Sequence, residues 1–293
     1  MNEIVLGTAQ LGLNYGVINN FGKPNETQAF DILDCAVNNN IRILDTARAY
    51  GDSEQIIGKY LNKHKDAFKI TTKLPKINSI NDVEKSINNS INNLGILSID
   101  YYLVHSFKDI IKNTNLISIL NYYKEKGIIK NIGISIYEPD ELEYILEKLS
   151  KYISIVQIPF NILDNRWIKS DLLKKAREKG IEISCRSVYL QGLFFADEKR
   201  ISNIHSDGIK YINYIKKIAN EKKVDLKTIL LNYVKIQTDI DYILIGCEKV
   251  QQLKENIEMF NKSIYISEKD REEIVEFTND IPNKIIDARS WNE

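Results

Sequence analysis

Ile41-Arg42-Ile43-Leu44-Asp45-Thr46-Ala47-Arg48-Ala49-Tyr50-Gly51-Asp52-Ser53-Glu54 is the stretch on which the reading of this chain turns. Ile41, Ile43 and Leu44 read as the inside of a buried strand, and Gly51 to Glu54 as a turn that opens a helix. A carboxylate, Asp45, therefore stands at the carboxyl end of a strand, with a phenol, Tyr50, on the loop beyond it. Taken alone, such an Asp usually caps the following turn and such a Tyr packs against its neighbours. The ends of the next strands give the pair a chemical meaning.

Working outward, short β-rich runs at 4–6, 41–45, 68–72, 101–104, 129–134, 153–157, 181–185 and 242–245 alternate with amphipathic helical segments. In one segment Val83, Ile87, Ile91 and Leu94 form a stripe while Lys85, Asn88 and Asn92 face away. In another, Pro24 and Asn25 open a helix with Phe30, Leu33 and Val37 inward. Nearly continuous apolar strands separated by helices predict a parallel sheet covered on its outer face. An open doubly wound sheet and a closed barrel both fit that alternation. The count of eight and the lack of a compositional break favour closure, so we expect one α/β domain over 1–293, an eight-stranded (β/α)8 barrel.

The chain has 293 residues with 40 Lys plus Arg against 40 Asp plus Glu, so no bulk basic field points to nucleic acid or an anionic membrane. No apolar run approaches the roughly 20 residues of a membrane span. The N-terminus lacks a basic region and a signal core, and a cytoplasmic location is expected. Cys35, Cys185 and Cys247 lie far apart in apolar stretches, which suits buried free thiols and neither a metal set nor a disulfide framework.

In a barrel of this kind chemistry sits at the carboxyl ends of the strands. The third strand leads into Thr72-Lys73-Leu74-Pro75, and the fourth ends in Val104-His105-Ser106. Each residue alone has a plain structural reading. Together with Asp45 and Tyr50 they make an acid-base constellation: the cation favours the phenolate, the carboxylate holds the cation, and the imidazole orients a carbonyl oxygen. With no evident nucleophile or metal set, hydride transfer suits these groups better than hydrolysis. Gly-x-Gly-x-x-Gly and phosphate-loop motifs are lacking as well, so a Rossmann-type cofactor site has no support.

At these residues the chain resembles the aldo-keto reductase superfamily. The resemblance runs in order through Asp45-Thr46-Ala47 to Tyr50-Gly51, Ser53-Glu54 and Gly58; Thr72-Lys73; Asp100 to His105; Gly133-Ile134-Ser135; Val156-Gln157; and Ile245-Gly246 on to Glu255-Asn256. It implies an NADP(H)-dependent oxidoreductase that reduces an aldehyde or ketone, with Tyr50 as general acid, Lys73 and Asp45 tuning it, and His105 orienting the carbonyl. Ser135 and Gln157 would hold the nicotinamide amide, and Asn161 less firmly. Gly7 and Thr8 would lie beside the cofactor after strand one, and Ser187, Gln191 and Gly192 on its phosphate side. Gly246, Lys249, Gln252, Glu255 and Asn256 would grip the adenosine end. Lys249 is the expected partner of a 2′-phosphate.

Arg186 departs from the pattern, standing where many members carry an aromatic that stacks on the nicotinamide. A planar guanidinium stacks too, but brings charge that suits an acidic substrate group or the pyrophosphate. Tyr15, Phe160 and Trp167 are candidate pocket aromatics, the loop 194–209 a candidate closing loop, and Trp291 a candidate contact from the C-terminal tail. The Gly7–Val17 start and strand seven look like bacterial reductases associated with cell-surface sugar metabolism, which hints at a sugar-derived carbonyl. The alternative is a nicotinamide-binding barrel acting as a regulatory or interaction subunit. A Schiff-base isomerase through Lys73 is a more distant one. Substrate identity and oligomeric state are not legible.

Overall fold

The computed structural model describes residues 2–77 and 79–291. Eight parallel strands close on themselves: β1 (Glu3–Gly7), β2 (Ile43–Asp45), β3 (Lys69–Leu74), β4 (Ile99–Val104), β5 (Ile129–Ser135), β6 (Ile155–Pro159), β7 (Glu182–Arg186) and β8 (Tyr242–Gly246). β8 pairs with β1 through Gly246 and Gly7, which seals the ring and leaves no open edge.

Strand side chains alternate between two buried faces. One set, with Leu6, Leu44, Ile70, Tyr102, Ile132, Val156, Ile183 and Ile243, packs in the large clusters shared with the helices. The other set fills the barrel interior, where Tyr101, Leu103 and Ile155 form their own small cluster. Low in that interior the Tyr101 and Tyr242 hydroxyls both donate to the Glu182 carboxylate, at 2.9 and 2.8 Å. Burial on both faces is why the strands read as unbroken apolar runs and why alternation was hidden in them.

The sequence placed the strands well and their ends less so. β1, β3, β5, β6, β7 and β8 run one or two residues further than the apolar runs, to Gly7, Leu74, Ser135, Pro159, Arg186 and Gly246. The parallel ladder continues through polar residues when each finds a partner inside the barrel. Lys73 is thus part of β3, opposite Leu103, and does not lie on a loop beyond it.

The helix Glu26–Asn38 starts at Asn25, whose side chain accepts from the Gln28 amide. Its inner face is centred on Ala29, Ile32, Leu33 and Ala36, with Phe30 and Val37 only half-buried at its flanks. Two fully buried alanines let the helix lie close, and that rolls it away from the expected stripe. In Asp82–Leu94, Val83, Ile87 and Leu94 are buried as expected and Ile91 sits at the edge. The stretch 194–209 is not an open loop, because Glu198–Ile204 is helical and its start is capped by Asp197.

Candidate active site

Counting by twos up each strand leads to one layer at the carboxyl end of the barrel. Gly7, Asp45, Lys73, Ser135, Gln157, Arg186 and Gly246 are inward positions at the tops of their strands, and His105 follows β4 in the same phase. Asp45, Lys73 and Gln157 in this layer are buried and bonded to one another, as the interior requires.

The most constrained of them are Asp45 and Lys73, each about 1% exposed. The Lys73 ammonium donates to Asp45 Oδ1 and to the Thr46 carbonyl, the latter at 3.0 Å. Asp45 Oδ2 accepts from Gln157 Nε2 at 2.8 Å, so both carboxylate oxygens are used. Above this pair Lys73 Nζ stands 3.5 Å from the Tyr50 hydroxyl and 5.0 Å from its ring centre. The His105 ring meets the Tyr50 ring edge-on, with centroids 6.1 Å apart.

The Tyr50 loop is clamped from below. Glu54 is buried, and its carboxylate accepts from Thr72 Oγ1 at 2.8 Å, Arg48 Nη1 at 2.9 Å and Asn93 Nδ2 at 3.2 Å. Ser53 Oγ lies 3.0 Å from both the Thr8 carbonyl and the Thr46 hydroxyl. Gly12 lies so close that an added Cβ would sit 1.8 Å from the Tyr50 carbonyl oxygen. Here a glycine is required by a close approach of two backbones.

Electrostatics differ from the sequence expectation in one respect. A cation beside Tyr50 was expected to pull its pKa down; instead burial, followed by the negative charge of Asp45, raises it above the usual phenol value. Lys73, paired with Asp45, has its own pKa lowered by burial against the opposing pull of Asp45. Burial, then Lys73 and Arg186, holds His105 down to about 3. At neutral pH the phenol is therefore protonated and the imidazole neutral, with one ring N–H to donate.

Tyr50 and His105 open into a cavity of about 650 Å³, within the range of small-molecule sites. Gly7, Thr8, Asp45, Ser135, Gln157 and Arg186 line it at the strand ends. Further along, Ser187, Gln191, Gly192, Gly246, Gln252 and Asn256 continue the wall. Thr8 and Gln157 are partly committed, since Thr8 Oγ1 donates to the Asp45 carbonyl at 2.9 Å and Gln157 holds Asp45. Asn256 accepts from the Tyr189 hydroxyl at 2.9 Å.

Several expected residues lie elsewhere. Lys73 is beneath the wall and not in it. Glu255 turns away to pair with Lys227 at 2.5 Å, and it is Lys227 that reaches the cavity. Lys249 is exposed at the helix start with its Nζ over the Phe21 ring, while Phe21 and Glu248 line the cavity. Asn161 is fully buried, accepts from the Leu163 amide and lies off the cavity. Of the three candidate aromatics only Tyr15 lines the cavity; Phe160 and Trp167 are wholly buried in the core. From 194–209 only Phe195 lines it. The C-terminal segment does reach the mouth, through Ile286, Ala288 and Arg289, whereas Trp291 donates to the Lys284 carbonyl.

Reasoning from sequence missed Tyr137, on whose ring the guanidiniums of both Arg186 and Arg289 stack, at 4.1 and 3.5 Å. It missed Gln10, Lys227, Glu248 and Arg289 as well. None of these sits at an apolar strand end, so strand reading had no signal for them. The three cysteines are buried and free. No described helix is long and apolar enough to cross a membrane.

A closed (β/α)8 barrel whose strand ends gather a phenol, a buried lysine–aspartate pair and a neutral imidazole defines a class of barrel oxidoreductases. The Aldo/keto reductase family model matches residues 3–279, and the chain belongs to that family. The NADH-specific methylglyoxal reductase of Escherichia coli (strain K12) is 25% identical over 75% of this chain and 79% of its own. The L-glyceraldehyde 3-phosphate reductase of the same strain is 23% identical over 85% of this chain and 84% of its own. An aldo/keto reductase from Klebsiella pneumoniae, solved in complex with NADP and acetate, superposes with a TM-score of 0.71 at 18% identity, covering 94% of this chain and 90% of the other. The barrel architecture is common to both. The chain is thus an oxidoreductase of a family that uses nicotinamide cofactors and acts on carbonyls.

Proposed function

We propose that this protein is an NADP(H)-dependent reductase that converts a small aldehyde or ketone, sugar-derived in our reading, to the alcohol in the cytoplasm. The observation that carries the proposal is the Asp45–Lys73 pair set directly under Tyr50, on the same cavity as a neutral His105. In this reading His105 donates its N–H to the carbonyl oxygen and fixes it beside the Tyr50 hydroxyl. Tyr50 gives its proton to that oxygen as negative charge develops, and Lys73 stabilises the phenolate left behind. Asp45 keeps Lys73 in place, and Gln157 keeps Asp45 in place.

The residues present fit a dinucleotide. When bound, the nicotinamide supplies the hydride. Ser135 is nearly fully buried, lines the cavity and spends its hydroxyl on no other described residue, which leaves it free for an amide. Between Ser187 and Gly192, four residues take positive φ (Ser187 65°, Leu190 47°, Gln191 52°, Gly192 92°), a bent backbone of the kind that wraps anions. Lys249 and Lys227 supply cations at the far end, which supports NADP(H) over NAD(H); Lys249 would swing from Phe21 to a 2′-phosphate. The relatives named above act on small, oxygen-rich aldehydes, which supports a sugar-derived carbonyl.

NADPH oxidation against a panel of small aldehydes, with Tyr50→Phe as control, tests this reading. Turnover by wild type and its loss in the variant are expected. Tight NADPH binding without turnover of any carbonyl would leave the regulatory-subunit alternative standing instead.

A further inference from the structure

Within the catalytic half of the cavity one charge has no counter-charge among the described residues. Lys73 is matched by Asp45, and Arg289 by a two-pronged contact with Asp287, with Glu138 3.8 Å away. Glu138 also takes Arg166 at 2.6 Å, and Arg166 is held further by Asp164. Arg186 bonds only to neutral acceptors among the described residues: Nη2 to the Ile136 carbonyl at 3.2 Å and Nη1 to Ser187 Oγ at 3.4 Å. A guanidinium has five N–H donors, so most of its fork is left for a ligand.

The direction of the side chain matters. Arg186 ends β7, yet its head reaches back across β6 to the carbonyl just past β5 and sits over the Tyr137 ring. That is the side of the mouth with Tyr50 and His105, away from β8, whose end carries the Gly246, Gln252 and Asn256 wall. Its charge is felt by Tyr15, Tyr50, Lys73 and His105 together. Its seat over Tyr137 and its bonds to the Ile136 carbonyl and Ser187 hold the fork in place, which lowers the entropy cost of gripping an oxyanion with two parallel bonds.

We propose that Arg186 is a substrate-recognition residue that binds an anionic oxygen group, a carboxylate or phosphate monoester, carried by the carbonyl substrate. The inference rests on the reductase reading of this site and adds the substrate's charge. An anion held there neutralises the one unmatched charge beside the reacting carbonyl. It also anchors the substrate at a point remote from the bond that changes.

The test compares paired aldehydes differing in charge: succinic semialdehyde against butanal, and glyceraldehyde 3-phosphate against glyceraldehyde. Wild type should favour at least one anionic member in kcat/KM. Arg186→Gln should cut that ratio tenfold or more, chiefly through KM, and Arg186→Lys should restore part of it. The pair that responds tells carboxylate from phosphate. NADPH affinity, measured by fluorescence, should shift less than threefold in Arg186→Gln. A ratio that moves less than threefold in both pairs overturns the proposal. So does a tenfold loss of NADPH affinity with charge preference intact, which would assign Arg186 to the pyrophosphate. If wild type reduces none of the four aldehydes, the reductase reading has failed on its own. Calorimetric titration of the NADPH-loaded protein with succinate and with inorganic phosphate then decides: binding lost in Arg186→Gln upholds the anion site, and no binding overturns it.

Discussion

The two ends of the cavity are built differently. At the end we assign to catalysis the groups stand on or just past strands, and most are tied down: Lys73 to Asp45, Asp45 to Gln157, and the loop of Tyr50 to Glu54 and Gly12. At the end we assign to the adenosine, the two lysines stand at helix starts, and their partners are surface residues that can exchange. Lys249 rests on Phe21 and Lys227 on Glu255, both contacts reachable by solvent. A rigid end suits proton transfer, where small displacements are costly. A looser end suits a cofactor that must enter and leave. The difference predicts large, coupled effects of substitution at the first end and small, graded ones at the second.

The largest effect is expected at Tyr50. Tyr50→Phe should lower kcat by about 10²–10⁴-fold while leaving NADPH affinity within a few-fold, the mark of lost acid catalysis. A comparable loss in both quantities would instead make Tyr50 a packing residue. Next in size is the buried pair. Lys73→Ala leaves Asp45 buried without a counter-charge, and urea unfolding should show a loss of about 3–5 kcal/mol. Lys73→Met combined with Asp45→Leu should recover much of that stability but none of the activity. An equal loss in the single and double variants would show that the pair is not coupled.

Gly12→Ala comes third. Its Cβ cannot fit against the Tyr50 carbonyl without moving one of the two backbones. We expect kcat to fall at least tenfold with the circular dichroism spectrum preserved, because the loop that carries Tyr50 has to shift. An unaltered kcat would mean that this close approach does not position the phenol.

The smallest effect belongs to the far end. Lys249→Ala should reduce the preference for NADPH over NADH by about tenfold, or ~1.4 kcal/mol, with little change in stability. An unchanged ratio would shift the 2′-phosphate to Lys227 or remove it from the assignment.

The pH dependence follows from the same electrostatics. His105 has a folded pKa near 3, below its unfolded value, so the unfolded chain binds the extra proton. Stability should therefore fall as pH drops from about 6.5 toward 3, and His105→Gln should flatten that slope in urea titrations. Carbonyl reduction should show no limb near pH 6.5. Its alkaline limb should lie above the usual phenol range, since the pKa of Tyr50 is raised. A limb near 6.5 that disappears in His105→Gln would contradict a neutral imidazole.

What could be read in the sequence and what could not divide along the same line. Asp45, Tyr50, His105 and the eight strands were legible because apolar runs end where water begins, and a polar residue at such an end stands out. Lys73 was legible as a residue but misplaced onto a loop, because burial of a lysine inside a strand becomes tolerable only once the Asp45 carboxylate on the neighbouring strand accepts from it. Glu255 and Lys249 carried the resemblance yet lie off the cavity wall. Surface side chains choose partners in space, and here Lys227 and Phe21 were nearer.

By itself, then, the sequence determined the alternation of strands and helices, the closed parallel barrel and the identities of the groups at the strand ends. These depend on local periodicity and on the need to bury apolar faces. Only the tertiary structure decided which charges neutralise one another, that the Tyr50 phenol stays protonated, and that Arg186 and Arg289 meet on Tyr137. Pairing and pKa depend on distances between residues scores of positions apart in the chain, and local pattern carries no record of those distances.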